Sequence, residues 1–533
     1  MTIRIQDTLT RESRPLETLE PGVVRMYVCG PTVYDDCHIG HLMGPVVFDT
    51  IARWLRAREY EVRFVNNITD IDDKIINRAA ATGEDWKSIA DRYTAQYLDF
   101  LTELNVVTVT DNPRCTDYVD GMVRFIEDLI STDRAYETSD GVYYDVEKQD
   151  GYGKLSGRKL EDMQAGARVE ASLELRHPAD FALWKKAKAG EPSWPSPWGE
   201  GRPGWHIECS VMSSDLLGGE FDIHGGGDDL KFPHHENEIA QSEAHGDRFA
   251  RLWMHNGLIQ YGGRKIAKSD PRMKDADFAQ QFQARWLIDR YGAPAVRFFL
   301  VRTPYNRPID FEPGVLDGAR KGLVRMLRQL GASLDEPVSE DLLAVLTRDL
   351  DPELSQHRDR FTAAMDADFN TGEAIAELFT LLRRARELEG GGGEEALLLA
   401  RDLGRVIGLF QPGDLAAIEA VGAAGEQLAP VVDALLELRT SAREAKDYAT
   451  ADGFRDLLAA TGIVVHDAAG ETTWEVDRPD EGLLGQLVEG ALELRKAARE
   501  RKDFQTADGI RDRLTAAGIE ILDGSDGSNW RPA

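Results

Sequence analysis

Residues 23–65 constrain the fold more than any other stretch of the sequence. Residues 23–34, VVRMYVCGPTVY, read as a buried strand ending in a Gly-Pro turn. From His41 to Arg56 the apolar residues Val47, Ile51, Trp54 and Leu55 recur at helical spacing and leave one face to bury. A second strand follows at Glu61–Val65 and enters NNITDIDDK. Strand, helix and strand in so short a stretch form a βαβ unit, which demands a parallel sheet and a right-handed crossover. A ligand of such a sheet sits beyond the carboxyl ends of its strands. Cys29, Thr32, His38 and residues 67–73 fall there.

Residues 113–200 interrupt this pattern. They hold helical stretches, a polar strand pair around Gly141–Asp145 and the Trp/Pro-rich segment SWPSPWGEGRPGW. A second α/β half resumes near Trp205: Cys209 stands in a strand-like context, FDIHGGGDDL reads as strand and glycine turn, and HHENEIAQSEAHG as a helix. Residues 316–420 are helical in pattern, with a flexible break expected at Gly390–Gly393. The tail repeats itself. LELRTSAREAKDYATADGFRDLLAATGIVV from Leu436 recurs as LELRKAARERKDFQTADGIRDRLTAAGIEI from Leu492, an offset of 56 residues (492 − 436) that carries Trp474 onto Trp530. Each copy reads as two helices and a short strand ending near the Trp.

At 533 residues the chain exceeds one core, so several domains are expected. No run of about 18 apolar residues is present and the start MTIRIQDTLTRES has no apolar stretch, so neither a membrane span nor a secretory signal is expected. Four cysteines are too few for a disulfide framework and fit thiols or metal ligands. A net charge of −30 means that any grip on nucleic acid must be a local basic footprint.

Three clusters carry chemistry. His38-Ile39-Gly40-His41 follows a strand and opens a helix, whose free N–H groups and dipole suit phosphate. Gly40 would admit a nucleotide close to the backbone; two histidines in a surface turn are the plainer alternative. Lys265-Ile266-Ala267-Lys268-Ser269 follows Gly262-Gly263 and offers two cations to one polyphosphate. His234 and Glu238 share one helix face, and with Cys29 and Cys209 they make an acceptable zinc set, although His235 and Glu236 offer other pairings.

MYVCGPTVYDDCHIGH, NITDIDDKI, SWPSPWGEGRPGWHIECS, FDIHGGGDDLKFPHHENEIAQS and MDADFNT, taken in order, resemble the bacterial cysteinyl-tRNA synthetases, which are class I aminoacyl-tRNA synthetases, over roughly residues 1–475. The resemblance implies an α/β fold. A Rossmann-type parallel-sheet catalytic domain is expected in two halves (1–112 and 201–264) around a connective insertion (113–200). A linking region (265–320), an all-α helical bundle (321–424), an anticodon-binding-like module (425–477) and a second copy of it (478–533) follow. It implies one zinc ion on Cys29, Cys209, His234 and Glu238. His38, His41, Lys265 and Lys268 would act on the phosphates. Gly40, His224 and Asp229 would join His38, His41 and Lys268 around ATP, and Thr32, Thr69 and Trp205 would surround the substrate cysteine. Two departures stand out: the second signature reads KIAKS and continues Asp270-Pro271-Arg272, and the tail module is doubled.

The implied activity is ATP-dependent ligation of L-cysteine to its tRNA through an adenylate, with Mg²⁺ on the departing phosphates, zinc selecting the thiolate and no editing domain. A cytoplasmic monomer is expected. A related cysteine-activating ligase without the long tail, and a non-catalytic paralogue, are the rival readings. Arg439, Arg443 and Lys446, with their counterparts Arg495, Arg499 and Lys502, would form a basic helical stripe in each copy.

Overall fold

The computed structural model describes residues 2–163, 174–266, 270–337, 341–388, 391–468, 471–476, 482–524 and 527–532. The chain divides into two compact units, Met1–Ala284 with Pro294–Asp414, and Arg285–Ala293 with Leu415–Ala533.

The first unit is built on a four-stranded parallel sheet. Strand β1 (Val23–Val28) leads through helix α1 (Ile39–Ala57) to β2 (Glu61–Asn66), as the periodicity predicts. Later in the chain α2 (Trp205–Leu217), β3 (Glu220–Gly227), α3 (His234–His245) and β4 (Phe249–Asn256) complete it. The strand order is β4-β3-β1-β2, all parallel. From β1 the chain builds outward to β2, then returns to the other side of β1 for β3 and β4. The switch point therefore lies between β1 and β3, where Tyr27 pairs with His224 and Val28 with Gly225. Burial on both faces explains the apolar runs in β1.

The segment between the halves carries its own antiparallel sheet, in the order Ala135–Glu137, Gly141–Tyr144, Phe181–Lys186 and Gly201–Pro203. It thus runs past the expected limit at residue 200. Its last strand delivers α2: the Gly204 N–H donates to the Leu183 carbonyl at 2.8 Å, and a Cβ on Gly204 would stand 1.9 Å from the Ala182 carbonyl oxygen. Cys209 accordingly sits in helix α2, not in a strand. Among Trp205-His-Ile-Glu-Cys-Ser-Val nearly every side chain is buried, so no single apolar face marks the helix.

The rest of the unit is mainly helical, with helices at Pro313–Leu330, Pro352–Asp366, Thr371–Ala385 and Gly391–Val406 beside two small sheets, Arg4–Gln6 with Ser13–Pro15 and Ile259–Tyr261 with Arg264–Lys265 and Ile309–Asp310. Gly391–Gly393 form the first turn of the last of these, so the flexible break expected at Gly390–Gly393 is replaced by a helix start; residue 390 lies outside the described residues. Asp366 accepts hydrogen bonds from Trp54 Nε1 (3.2 Å) and Arg58 Nη1 (2.6 Å) near the end of α1. Arg297 places Nη2 2.6 Å from Asp49 Oδ2 on the same helix. No described helix is long and apolar enough to cross a membrane.

In the second unit α4 (Asp414–Glu444) and α5 (Tyr448–Ala460) precede a hairpin of Ile463–Ala468 and Glu471–Val476. Helices α6 (Leu483–Glu500) and α7 (Phe504–Ala516) precede the matching hairpin of Ile519–Gly524 and Gly527–Pro532. Each copy therefore ends in two strands where one was expected. Trp474 pairs with Val465 and Trp530 with Ile521, so each Trp lies in the second strand.

Candidate functional site

The carboxyl ends of β1 and β3 open on a cavity of about 440 Å³ lined by residues 29–32, 38–41, 226–227 and 256–259, among others. Glycine makes room at this switch point. A Cβ on Gly30 would stand 1.7 Å from the Asn67 carbonyl oxygen; one on Gly225 would meet the Phe48 ring at 2.3 Å, and one on Gly226 the His235 ring at 2.8 Å.

His38 caps α1 and His41 is its third residue. The Gly40 N–H donates to His38 Nδ1 at 3.1 Å, and the His38 N–H donates to His41 Nδ1 at 3.3 Å, so the two imidazoles close a capping box. Their rings stack with centroids 3.7 Å apart. Because Nδ1 accepts in both, a neutral ring carries its proton on Nε2 and is a donor there. A Cβ on Gly40 would stand 2.9 Å from His38 Cε1, so this glycine answers to the histidine cap as well as to the cavity it lines. The Ile39 N–H donates to the Phe282 carbonyl and Ala284 N–H to the Cys37 carbonyl, both at 2.8 Å, which fastens residues 282–284 across the signature.

Ile266 lines the cavity, with Lys265 beside it in the strand Arg264–Lys265; Lys268 lies outside the described residues. The departure after it forms a turn whose Arg272 lies over the rings of Tyr261 and Phe278. Asp270 accepts from the Arg272 N–H at 2.9 Å, capping Pro271–Lys274, and its carboxylate pairs with the Arg272 guanidinium at 2.8 Å. That hydrogen bonding holds Asp270 down at about 2.

Cys29, which lines the cavity, follows β1; next to it, but not lining the cavity, Cys209 comes from α2, and His234 and Glu238 come from the first turns of α3. Cys29 Sγ is 3.7 Å from Cys209 Sγ and 3.6 Å from Glu238 Oε1; His234 Nε2 is 3.5 Å from Cys209 Sγ and 3.0 Å from Glu238 Oε1. A tetrahedral zinc with Zn–S near 2.3 Å and Zn–N or Zn–O near 2.0 Å holds its ligand atoms about 3.3–3.8 Å apart. Most of these separations fall in that range, so the donors and spacing fit the ion. A second group, Cys29, His224, His235 and Glu238, overlaps it. There His235 Nε2 lies 4.0 Å from Glu238 Oε1, and His235 Nδ1 is engaged with His255 Nε2 at 2.8 Å. Glu236 turns away and accepts from the Ser156 N–H at 2.8 Å.

Burial opposes charge in this cluster, and Cys209, His234 and Glu238 overcome that together, whereas Cys29 does not. Burial disfavours ionisation of Cys209, yet the hydrogen bond from Cys29 and the charge on His234 bring the thiol down to about 6. Burial likewise disfavours a charged His234, but Glu238 and Cys209 push it up to about 10. Glu238 is buried too, and the His224 and His234 rings draw it well below the carboxylate range. Burial and the neighbouring Cys209 push Cys29 up.

Thr32, Trp205 and Asp229 line the cavity, and Trp205 packs its ring 4.3 Å from that of His234. Two expected residues lie elsewhere. His224 does not line the cavity but is fully buried behind the cluster, with Nε2 2.7 Å from Glu238 Oε2, because β3 turns it under the sheet end and stacks it on Trp253. Thr69 does not line the cavity either: it is buried beside the lining residue Thr32, with which its backbone pairs, and donates to Glu208 Oε2 at 3.1 Å. Lys74 and Tyr34 line the cavity and were not singled out; the ammonium lies 5.4 Å from the ring centre. Their signal was the position of Lys74 at the end of NITDIDDK.

Family models match along most of the chain. One for the tRNA synthetases class I (C) catalytic domain covers residues 15–321, one for the DALR domain 360–411, and one for the cysteinyl-tRNA ligase anticodon binding domain 426–474. The chain is 45% identical over 478 residues to a cysteine–tRNA ligase of Thioalkalivibrio sulfidiphilus, covering 89% of this chain and 99% of that protein. It is 45% identical over 491 residues to one from Geobacter sulfurreducens, covering 89% and 100%. Among solved structures, the LeuRS–tRNA–LeuAMS ternary complex of Agrobacterium radiobacter K84 superposes with a TM-score of 0.52 at 14% identity, over 76% of this chain and 86% of that one, which supports the fold. An α/β catalytic sheet whose switch point carries the paired histidines, and sequence kinship along nine-tenths of its length, place the chain in the cysteine–tRNA ligase family of class I aminoacyl-tRNA synthetases.

Proposed function

We propose that the cavity activates L-cysteine with ATP and passes it to the terminal adenosine of its tRNA, with the substrate held by its sulfur. The observation that carries this reading is that Cys29 lines the same cavity as His38 and His41. Cys29, Cys209, His234 and Glu238 would hold zinc, which when bound favours a thiolate ligand over the poorer hydroxyl of serine.

His38 and His41 each offer Nε2–H to the phosphate oxygens, and their N–H-rich helix start adds positive potential. Lys265 and Lys268 would neutralise charge as the cysteine carboxylate attacks the α-phosphorus in line and pyrophosphate departs with Mg²⁺. The attacking carboxylate needs no general base at neutral pH. Gly40 and Asp229 line the nucleotide's part of the cavity, and Thr32 and Trp205 the amino acid's. His224 and Thr69 act from behind these surfaces, His224 by orienting Glu238. A cytoplasmic monomer suits this reaction.

A hydrophobic pocket separates isosteres by only about 10²-fold, whereas a site built for one polar atom reaches about 10⁴ or more. Cys209→Ser is therefore expected to lose zinc by metal analysis and most of its cysteine-over-serine preference in ATP–pyrophosphate exchange. Full preference in a metal-free variant would sink the proposed role.

A further inference from the structure

The two tail copies pack reciprocally. A Cβ on Gly453 would meet Leu494 at 2.9 Å, and one on the equivalent Gly509 meets Leu438, the equivalent of Leu494, at 3.8 Å. Such exchange of partners marks a two-fold relation. One core holds Phe454 and Leu458 of the first copy together with Leu487, Ile510 and Leu514 of the second. Arg501, closing α6, donates to Thr450 Oγ1 in the first turn of α5 at 3.4 Å. The α4–α5 and α6–α7 turns therefore lie at the same end of the bundle.

That end is unusual. Tyr448 is 63% exposed and its equivalent Phe504 60% exposed, each the first residue of its helix. Lys446 and Lys502 precede them in the left-handed conformation, at φ 61° and 64°. Asp447 and Asp503 are turned inward as caps, accepting from the Thr450 and Thr506 N–H groups. Arg443, Lys446, Arg499, Arg501 and Lys502 are exposed there beside Glu444 and Glu500, so cations outnumber acids among its exposed side chains in a chain of net charge −30, while the capping Asp447 and Asp503 offset much of that charge. Arg495, expected in the basic stripe, does not contribute: it is 3% exposed and bonds Ser528.

We propose that the second copy turns this end into a two-ring platform for the unpaired loop of the tRNA, with bases stacking on Tyr448 and Phe504 and phosphates meeting the turn cations. The family match for anticodon binding ends at residue 474, so Phe504, Arg499 and Lys502 lie beyond it. The proposal rests on the tRNA-ligase reading. Stacking on an exposed ring tolerates any base, and cations around it add salt-dependent affinity.

Removing the second copy would strip the shared core, so point variants of the full chain are used. Phe504→Ala is expected to weaken tRNA binding about tenfold by fluorescence anisotropy, Phe504→Trp to hold it within about twofold, and Leu522→Ala on the hairpin to leave it unchanged. Arg499→Gln with Lys502→Gln should flatten the slope of log affinity against log salt by about one. Native-like melting with undiminished affinity in Phe504→Ala overturns the platform, as does an equal loss in Leu522→Ala. Should Phe504→Ala not fold, an unchanged salt slope in the charge variant overturns it. A parent chain that binds no tRNA defeats the ligase reading itself, whatever the variants do.

Discussion

Gly40 shows how one residue answers to two demands. The sequence places it between two histidines at a helix start, where room for a nucleotide is reason enough for glycine. The structure adds that the His38 ring folds over it to cap α1. Gly40→Ala should push the ring off its cap and misaim both Nε2–H donors. We expect pyrophosphate exchange to fall about 100-fold, the scale on which small displacements act in positioned sites, while the lost cap lowers stability by only about 1 kcal/mol. Calorimetric and kinetic data on the same preparation test this, and a large loss of stability with normal turnover would refute it. The cluster of Cys29, Cys209, His234 and Glu238 was legible as residue types, since the i,i+4 spacing of His234 and Glu238 fixes one helix face. The packing of His224 was not legible, because a histidine near a strand end looks alike whether it faces a ligand or the back of Glu238. Only the pleat of β3 against Trp253 decides.

At the scale of elements, α1 is held at both ends of its function. Its start carries the histidines, and its body is tied to the helical region by Asp49 with Arg297 and by Trp54 and Arg58 with Asp366. Burial works against the Asp49 charge, yet Arg297 and Arg53 hold it below its ordinary 3.8. Arg297→Met leaves that carboxylate buried with one cation fewer and should cost about 3–5 kcal/mol in denaturant unfolding. A group whose folded pKa is depressed stabilises above its unfolded value and loses that contribution as pH falls through the folded one. The gap between parent and variant should therefore be full at pH 6 and narrow below pH 4; a gap that widens on acidification would contradict this. The βαβ start was readable because its periods are clean. Helix α2 was not, because a helix buried on all sides has no stripe, and its position depends on the inserted sheet ending at Gly204.

For the whole molecule, the duplication was visible from identity at a fixed offset, but the shared core was not, since repeats written alike can stand apart or interlock. The interlocking makes a contrast testable. Alanine favours a helix interior over glycine by about 1 kcal/mol. At Gly509 the new methyl would meet Leu438 at ordinary contact, 3.8 Å, whereas at Gly453 it would crowd Leu494 at 2.9 Å. Gly509→Ala should thus stabilise the tail by roughly 1 kcal/mol and Gly453→Ala should not, as read by hydrogen exchange of the α5 and α7 amides. Equal gains at both positions would argue against the reciprocal packing. Two identical partners in solution meet only as often as their abundance permits. Joining them in one chain sets the local concentration of one for the other at about the millimolar level, whatever the amount of protein in the cell. A dimer's geometry is thereby made independent of dilution.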